Sequence, residues 1–382
     1  MAAPRIALVA GEASGDLLAS HLIHALRRHL PEARFYGIGG PKMEAAGFEA
    51  RFPAEKLSVH GYVDALRHYR EISGIRRQLL KELLSDPPDA FIGVDAPDFN
   101  LWLEGRLKAR GVPAIHYVSP SLWAWRGGRI EGIKKNVSHM LALFPFEPAI
   151  YEKAGVPVSY VGHPLADMLP LEVDREAARS KLGLDREGCL FALLPGSRQS
   201  ELKHLAPVFI ETARMLLKRF PDARFLVPFA TRETRELFDA ALWQADGKDI
   251  PFIRLFGHAH DAMAAADGVL VASGTATLEA ALLKRPMVIA YRMSSNSARL
   301  MRRMAYLPYH GLPNILSGRF VVPEFIQEDA SPENLAQALG NAVADPVLPG
   351  RLERLFTDLH RQLRQNTAER AAAAILPYLG RR

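Results

Sequence analysis

The chain has 382 residues, 48% of them hydrophobic and 24% charged. That length is too great for one ordinary core and points to two domains of ~150–200 residues each, while near-average composition excludes a disordered, collagen-like or coiled-coil protein. The single cysteine, Cys189, excludes a disulfide framework and any multi-cysteine metal site, and the net charge of +6 suits anionic partners without choosing among nucleotides, phosphates, acidic lipid and nucleic acid.

From the amino terminus, apolar strand-length runs alternate with helical periodicity. The first half predicts strands at Ile6–Ala10, Arg34–Ile38, Ala90–Val94, Ala114–Val118, His139–Leu143 and Ser159–Val161, with helices over 16–29, 62–84, 100–110 and 146–154. The strands are apolar along their whole length, the pattern of a parallel sheet covered on both faces. Residues 1–10 read as the first strand of a cytosolic fold, since their apolar run is too short for a signal peptide. No apolar run reaches the ~18 residues of a membrane span.

Gly11-Glu12-Ala13-Ser14-Gly15-Asp16 follows the first strand and can bring backbone N–H groups to an anion at a helix N-terminus. It matches neither common phosphate loop, because Asp16 stands where a lysine would be, which argues against an ATPase and an ordinary dehydrogenase. The competing reading is a tight turn with Ser14 or Asp16 as helix cap. Asp95, in Val94-Asp95-Ala96-Pro97-Asp98-Phe99-Asn100, falls at the carboxyl end of a buried strand, where a general base would sit. Asp98 and Asn100 read as N-caps of a helix beginning near Leu101, and two carboxylates alone are a weak metal site. His116–Arg126 delivers Trp123, Trp125 and Arg126 into a loop that either packs on its own aromatics or binds something.

The second half repeats the plan after a linker at 165–175, with strands at Leu190–Leu194, Arg224–Pro228, Phe252–Leu255, Gly268–Ala272 and Met287–Ala290 and helices over 201–219, 232–245, 259–266 and 275–284. A helical tail covers roughly 332–380. The expected fold is therefore α/β: two Rossmann-like, doubly wound parallel-sheet domains facing a cleft, over 1–168 and 169–345, with helices over 346–382. Those helices pack back on the first domain or on a partner chain.

Three motifs of the second half sit after strands. Arg198, in Pro195-Gly196-Ser197-Arg198, can fork onto a diphosphate, with Ser197 beside it. Ser273-Gly274-Thr275 lies between a strand and a helix, so its N–H groups and the helix dipole can hold a diphosphate, and Glu279 on that helix can accept both hydroxyls of a ribose. Asn314, after Pro313, can donate to an oxygen anion; Gln327 lies further on, after Pro323-Glu324-Phe325-Ile326.

Taken in order, G-E-A-S-G-D, G-V-D-A-P-D-F-N, H-Y-V-S-P-S-L-W-A-W, L-L-P-G-S-R, A-S-G-T-A-T-L-E and L-P-N-I-L-S-G-R resemble the lipid-A-disaccharide synthase family over nearly the whole chain. The resemblance implies an inverting glycosyltransferase of the GT-B fold. It implies transfer of 2,3-diacylglucosamine from its UDP derivative to the 6-hydroxyl of 2,3-diacylglucosamine 1-phosphate (lipid X), giving the β-1′,6-linked lipid A disaccharide 1-phosphate and UDP. Under it Asp95 is the base, and Arg198, Ser197, Ser273, Gly274, Thr275 and Asn314 stabilise the departing UDP. Glu279 holds the ribose, and Glu12, Ser14, Gly15, Trp123, Trp125, Arg126 and Gln327 border the acceptor. No cofactor, metal or nucleic acid is implied. The expected partner is the anionic cytoplasmic face of the inner membrane, reached through the basic amphipathic stretch 57–84 and the cluster at 299–304, with room for a homodimer. A cell-wall N-acetylglucosaminyltransferase or a UDP-sugar 2-epimerase shares that fold but differs in this series of motifs.

Overall fold

The computed structural model describes residues 3–53, 62–124, 127–294 and 306–379, and only the backbone of 53 and 62–69. By internal contacts the chain divides into two units, Met1–Asp167 with Gln362–Arg382, and Met168–Arg361. The first unit holds strands β1 Arg5–Ala10, β2 Arg34–Gly39, β3 Phe48–Pro53, β4 Ala90–Val94, β5 Ala114–Tyr117, β6 His139–Ala142 and β7 Val158–Tyr160. They lie in the order β3-β2-β1-β4-β5-β6-β7, all parallel.

The uninterrupted apolarity of these strands has a direct cause. In β1, Ile6, Leu8 and Ala10 pack with Leu22 and Leu26 of the helix Ala13–His29. Ala7 and Val9 alternate to the other face and pack with Ile75, Leu79, Leu83, Phe99 and Leu103. Ile75, Leu79 and Leu83 are the buried stripe of the helix Tyr62–Ser85, and burying each such side chain is worth about 1.5–3 kcal/mol. The carboxyl half of the basic amphipathic stretch is therefore core-facing. Residues 57–61 and 299–304 lie outside the described residues.

The second unit holds β8 Leu190–Leu194, β9 Arg224–Phe229, β10 Phe252–Phe256, β11 Gly268–Ala272, β12 Met287–Tyr291 and β13 Glu324–Ile326. Their order is β10-β9-β8-β11-β12-β13, again all parallel. The sequence pattern missed β3 and β13, one edge strand of each sheet. An edge strand has one open side and tolerates charge, as at Glu49, Arg51 and Glu324.

Two local expectations are corrected. Asp98 and Asn100 do not cap a helix starting near Leu101, because Pro97 already opens the helix Pro97–Lys108, as its fixed φ permits at a first turn. Instead Asp98 is exposed and pairs with Arg129 at 2.6 Å. The tail also divides differently from the expected 346–382. The helix Leu348–Leu363 groups with the second unit as far as Arg361, where Lys284 Nζ meets buried His360 Nδ1 at 2.6 Å. The helix Thr367–Leu379 joins the first unit, burying Ala371, Ala372 and Ile375 in the core of the helix Ala13–His29. Asp167 fixes its start by accepting from Asn366 N at 3.0 Å and Thr367 N at 2.7 Å.

Candidate functional site

In a doubly wound sheet, ligands bind beyond the carboxyl ends of the strands where strand order reverses. In the first unit the reversal falls between β1 and β4. The loop Gly11–Asp16 follows β1, and Asp95 follows β4. Gly15 lies against the ends of both strands: a Cβ on it would lie 3.4 Å from Ala10 Cβ and 3.6 Å from Val94 O. Glu12 and Ser14 are exposed beside them. Asp16 is buried and caps a different helix from its own. It accepts from Gly40 N at 3.0 Å, Lys42 N at 3.1 Å and Met43 N at 3.0 Å, at the start of the helix Pro41–Ala45.

Asp95 and Ala96 both adopt left-handed backbone, with φ of 53° and 43°. Such a conformation costs roughly 1–2 kcal/mol per non-glycine residue, so something must hold it. Asp95 N donates to Tyr117 O at 2.8 Å, and Asp95 O accepts from Asn100 Nδ2 at 2.8 Å. The half-buried Asp95 carboxylate makes no hydrogen bond among the described residues.

The aromatic loop packs on the segment that follows β6. Trp123 stands edge-on to Phe146 at 5.5 Å and to Phe144 at 6.3 Å. Its indole N–H donates to Glu147 Oε1 at 3.2 Å, while Glu147 Oε2 accepts from Leu143 N and Phe144 N, each at 3.0 Å. Burial pushes the Glu147 carboxyl up to about 7 against these donors. Trp123 thus spends its polar atom on Glu147. Trp125 and Arg126 lie outside the described residues.

In the second unit the reversal falls between β8 and β11, and both diphosphate motifs lie there. After β8, Glu201 Oε2 accepts from Ser197 N at 3.1 Å and Arg198 N at 3.3 Å. The start of the helix Gln199–Arg219 therefore already carries a carboxylate. What remains for an anion is the exposed Ser197 hydroxyl and the exposed Arg198 guanidinium, which makes no bond among the described residues. After β11, Gly274 has φ +156°, and nothing lies within 4 Å of where a Cβ would stand. The helix Thr275–Leu282 begins there without a side-chain cap, leaving its positive end open. Ser273 Oγ donates to His310 O at 3.1 Å.

Glu279, on that helix, has its carboxylate Oε2 3.2 Å from His260 Nε2. That contact raises the His260 pKa, overcoming partial burial. The sequence reading missed His260; its signal was Gly257-His258-Ala259-His260 at the carboxyl end of β10.

Two expected site residues turn out to be spent on the scaffold. Asn314 is fully buried. Its amide donates to Val322 O at 2.9 Å and Glu324 Oε1 at 2.7 Å, and its oxygen accepts from Val321 N and Val322 N at 2.7 and 3.0 Å. An amide has two donors and two acceptor positions, so no donor is left for an oxyanion. Glu324 in turn accepts from His310 N and Gly311 N, each at 2.8 Å, fixing the loop that meets Ser273. Gln327, at φ 57°, clasps Met293, accepting from its N–H at 2.7 Å and donating to its carbonyl at 3.0 Å.

The arrangement offers a carboxylate at one switch point and a guanidinium, an open helix end and a second carboxylate at the other. Comparison with known proteins gives it a family. Residues 6–375 match the family described as lipid-A-disaccharide synthetase. A lipid-A-disaccharide synthase of Azoarcus sp. (strain BH72) is 67% identical over 377 residues, covering 99% of this chain and 96% of that protein. One from Aromatoleum aromaticum is 66% identical over 379 residues, covering 99% and 97%. In fold, the chain is similar to CalG4, the calicheamicin glycosyltransferase, with a TM-score of 0.61, 16% identity and coverage of 100% and 99%. The chain belongs to the lipid-A-disaccharide synthase family and is a glycosyltransferase with two parallel-sheet α/β domains of the GT-B kind.

Proposed function

We propose that Asp95 is the base of an inverting transfer. The enzyme moves 2,3-diacylglucosamine from UDP-2,3-diacylglucosamine to the 6-hydroxyl of 2,3-diacylglucosamine 1-phosphate, releasing UDP and the β-1′,6-linked disaccharide 1-phosphate. The observation that carries this reading is the Asp95 carboxylate, held at the end of β4 on a strained turn and uncommitted among the described residues. A sugar hydroxyl is a poor nucleophile at neutral pH, and a positioned base is worth roughly 10²–10⁴-fold in rate. Attack on the anomeric carbon opposite the α-linked UDP gives the β product in one displacement.

Negative charge grows on the diphosphate as the bond to UDP breaks. Arg198, Ser197 and the open helix end at Ser273-Gly274-Thr275 take that charge, and Glu279 accepts the ribose hydroxyls. No step needs a metal ion. Glu12, Ser14 and Gly15 border the acceptor beside Asp95. Because both substrates are lipids, the reaction runs with the protein bound peripherally at the cytoplasmic face of the inner membrane, which its net charge of +6 favours. Among the described residues no helix is long and apolar enough to cross a membrane.

The test is incubation with both lipids and mass spectrometry of the products. Wild type yields disaccharide and UDP together. Asp95→Asn lowers kcat by roughly 10²–10⁴-fold and leaves UDP affinity, read by calorimetry, unchanged. A wild-type kcat in Asp95→Asn moves the base elsewhere, and no disaccharide from wild type ends the reading.

A further inference from the structure

Beneath the turn that carries Asp95 lies a buried polar cluster that the transfer reaction, as described, does not use. Asn100, Glu104 and His116 are each 0% exposed. Asn100 and Glu104 stand four residues apart on the helix Pro97–Lys108 and so share a face. His116, on β5, lies opposite Gly93 of β4 in the parallel register. Gly93 makes the room: a Cβ there would come 2.2 Å from Glu104 Oε1 and 2.8 Å from Asn100 Cβ. His116 Nδ1 is 2.7 Å from Glu104 Oε1.

The amide of Asn100 points at the switch point of the sheet. Its Nδ2 donates to Asp95 O at 2.8 Å and also reaches Val9 O at 3.3 Å and Val94 O at 3.4 Å. One side chain thus touches the ends of both β1 and β4. The cluster is expensive for a core. Asn100 Oδ1, Glu104 Oε2 and His116 Nε2 are buried without a hydrogen bond among the described residues, and burial raises the Glu104 pKa against the opposing pull of His116. Apolar residues of similar volume often serve stability as well or better than a buried ion pair. A trio this costly is better explained by what it holds in place.

We propose that Asn100, braced by the Glu104–His116 pair, is the positioning residue that fixes the Asp95 carboxylate in its working orientation. The inference rests on the reading of Asp95 as base. Asp95 and Ala96 both sit in left-handed backbone, and Asp95 is held on both sides, its N–H donating to Tyr117 O and its carbonyl accepting from Asn100 Nδ2. Freeing the Asp95 carbonyl lets this turn relax and swings the carboxylate. A misplacement of about 1 Å can cost on the order of 10²-fold in rate.

The experiment uses the full-length enzyme with both lipid substrates. Asn100→Leu keeps the volume and removes the amide; Asn100→Ser is made in parallel so that a folded variant is read. In each, kcat per folded molecule falls roughly 10–100-fold, while the KM for the UDP-sugar and UDP affinity stay at wild-type values. Glu104→Leu moves kcat in the same direction, and Glu104→Gln, which still accepts from His116, restores most of it. In an Asp95→Asn background Asn100→Leu adds no further loss, since the two act as one unit. Loss of melting temperature with an unchanged kcat overturns the inference, as does full additivity with Asp95→Asn. The two readings separate cleanly. A fast Asp95→Asn refutes the base; a slow Asp95→Asn with a fast Asn100→Leu refutes only the positioning role.

Discussion

His260 Nε2 lies 3.2 Å from Glu279 Oε2, and the two side chains come from neighbouring strand-end helices of the second sheet. The hydrogen bond that His260 donates to Glu279 raises the His260 pKa above 6.5, with desolvation opposing it. A histidine raised on folding contributes stability fully below its unfolded pKa and loses that contribution as pH rises through the folded value. An NMR titration of the ring protons therefore gives a midpoint above 6.5 in wild type that moves down in Glu279→Gln. A wild-type midpoint at or below 6.5 sinks the pairing. Because Glu279 is proposed to hold the ribose, His260→Ala also weakens UDP binding, by several-fold.

Arg198 offers a second test of the donor cradle. Glu201 already occupies the amides of Ser197 and Arg198, so under the proposed reading a diphosphate meets the guanidinium here and not the start of the helix Gln199–Arg219. Arg198→Ala should weaken UDP roughly 10–100-fold, the loss of a charge-assisted pair. Arg198→Lys should recover only part of this, because an ammonium lacks the planar fork. Calorimetry with UDP reads both, and equal affinities for wild type and Arg198→Ala would place the diphosphate elsewhere.

How much of this was legible in the sequence depended on what each residue answers to. The inner strands were, because burial on both faces leaves only apolar residues from Ile6 to Ala10 or Leu190 to Leu194. The positions of Asp95, Arg198 and Gly274 after such strands followed from the same pattern. Roles set by long-range contacts were not. Asp16 looks like a local cap and instead ties down a helix 24 residues away. Asn314 looks like a free donor until its four partners, brought by residues 321–324, are in view. Glu104 and His116 meet only because Gly93 leaves space between them and the strand, which no spacing in the chain announces.

Asn314 is thereby open to a discriminating measurement. An oxyanion donor, once removed, lowers kcat and leaves stability alone. A clasp does the reverse. Asn314→Ala strands Val322 O, Glu324 and two backbone N–H groups in a buried site, which costs about 3 kcal/mol. Urea unfolding should show that loss, and Glu324→Ala should show much of it, because the same loop at His310 and Gly311 is released. A variant as stable as wild type but slow in turnover would return Asn314 to the chemistry.

Glu147 sets a pH dependence of opposite origin to that of His260. Its carboxyl is raised from 4.5 to about 7, chiefly by burial, with Phe144 N, Trp123 Nε1, the Ser119 hydroxyl and Leu143 N pulling it down. The folded state then binds the proton more tightly than the unfolded chain, so the contribution is complete below about 4.5 and disappears as pH climbs through about 7. The span corresponds to roughly 3 kcal/mol. Glu147→Gln cannot ionise and lacks this slope. The stability difference, wild type minus variant, should therefore shrink by that order between pH 4.5 and pH 8, read from urea midpoints at several pH values. Over the same window the Trp123 emission should shift as its indole partner becomes a carboxylate. Parallel stability curves for the two proteins would mean that the donors outweigh burial and that Glu147 is ionised throughout.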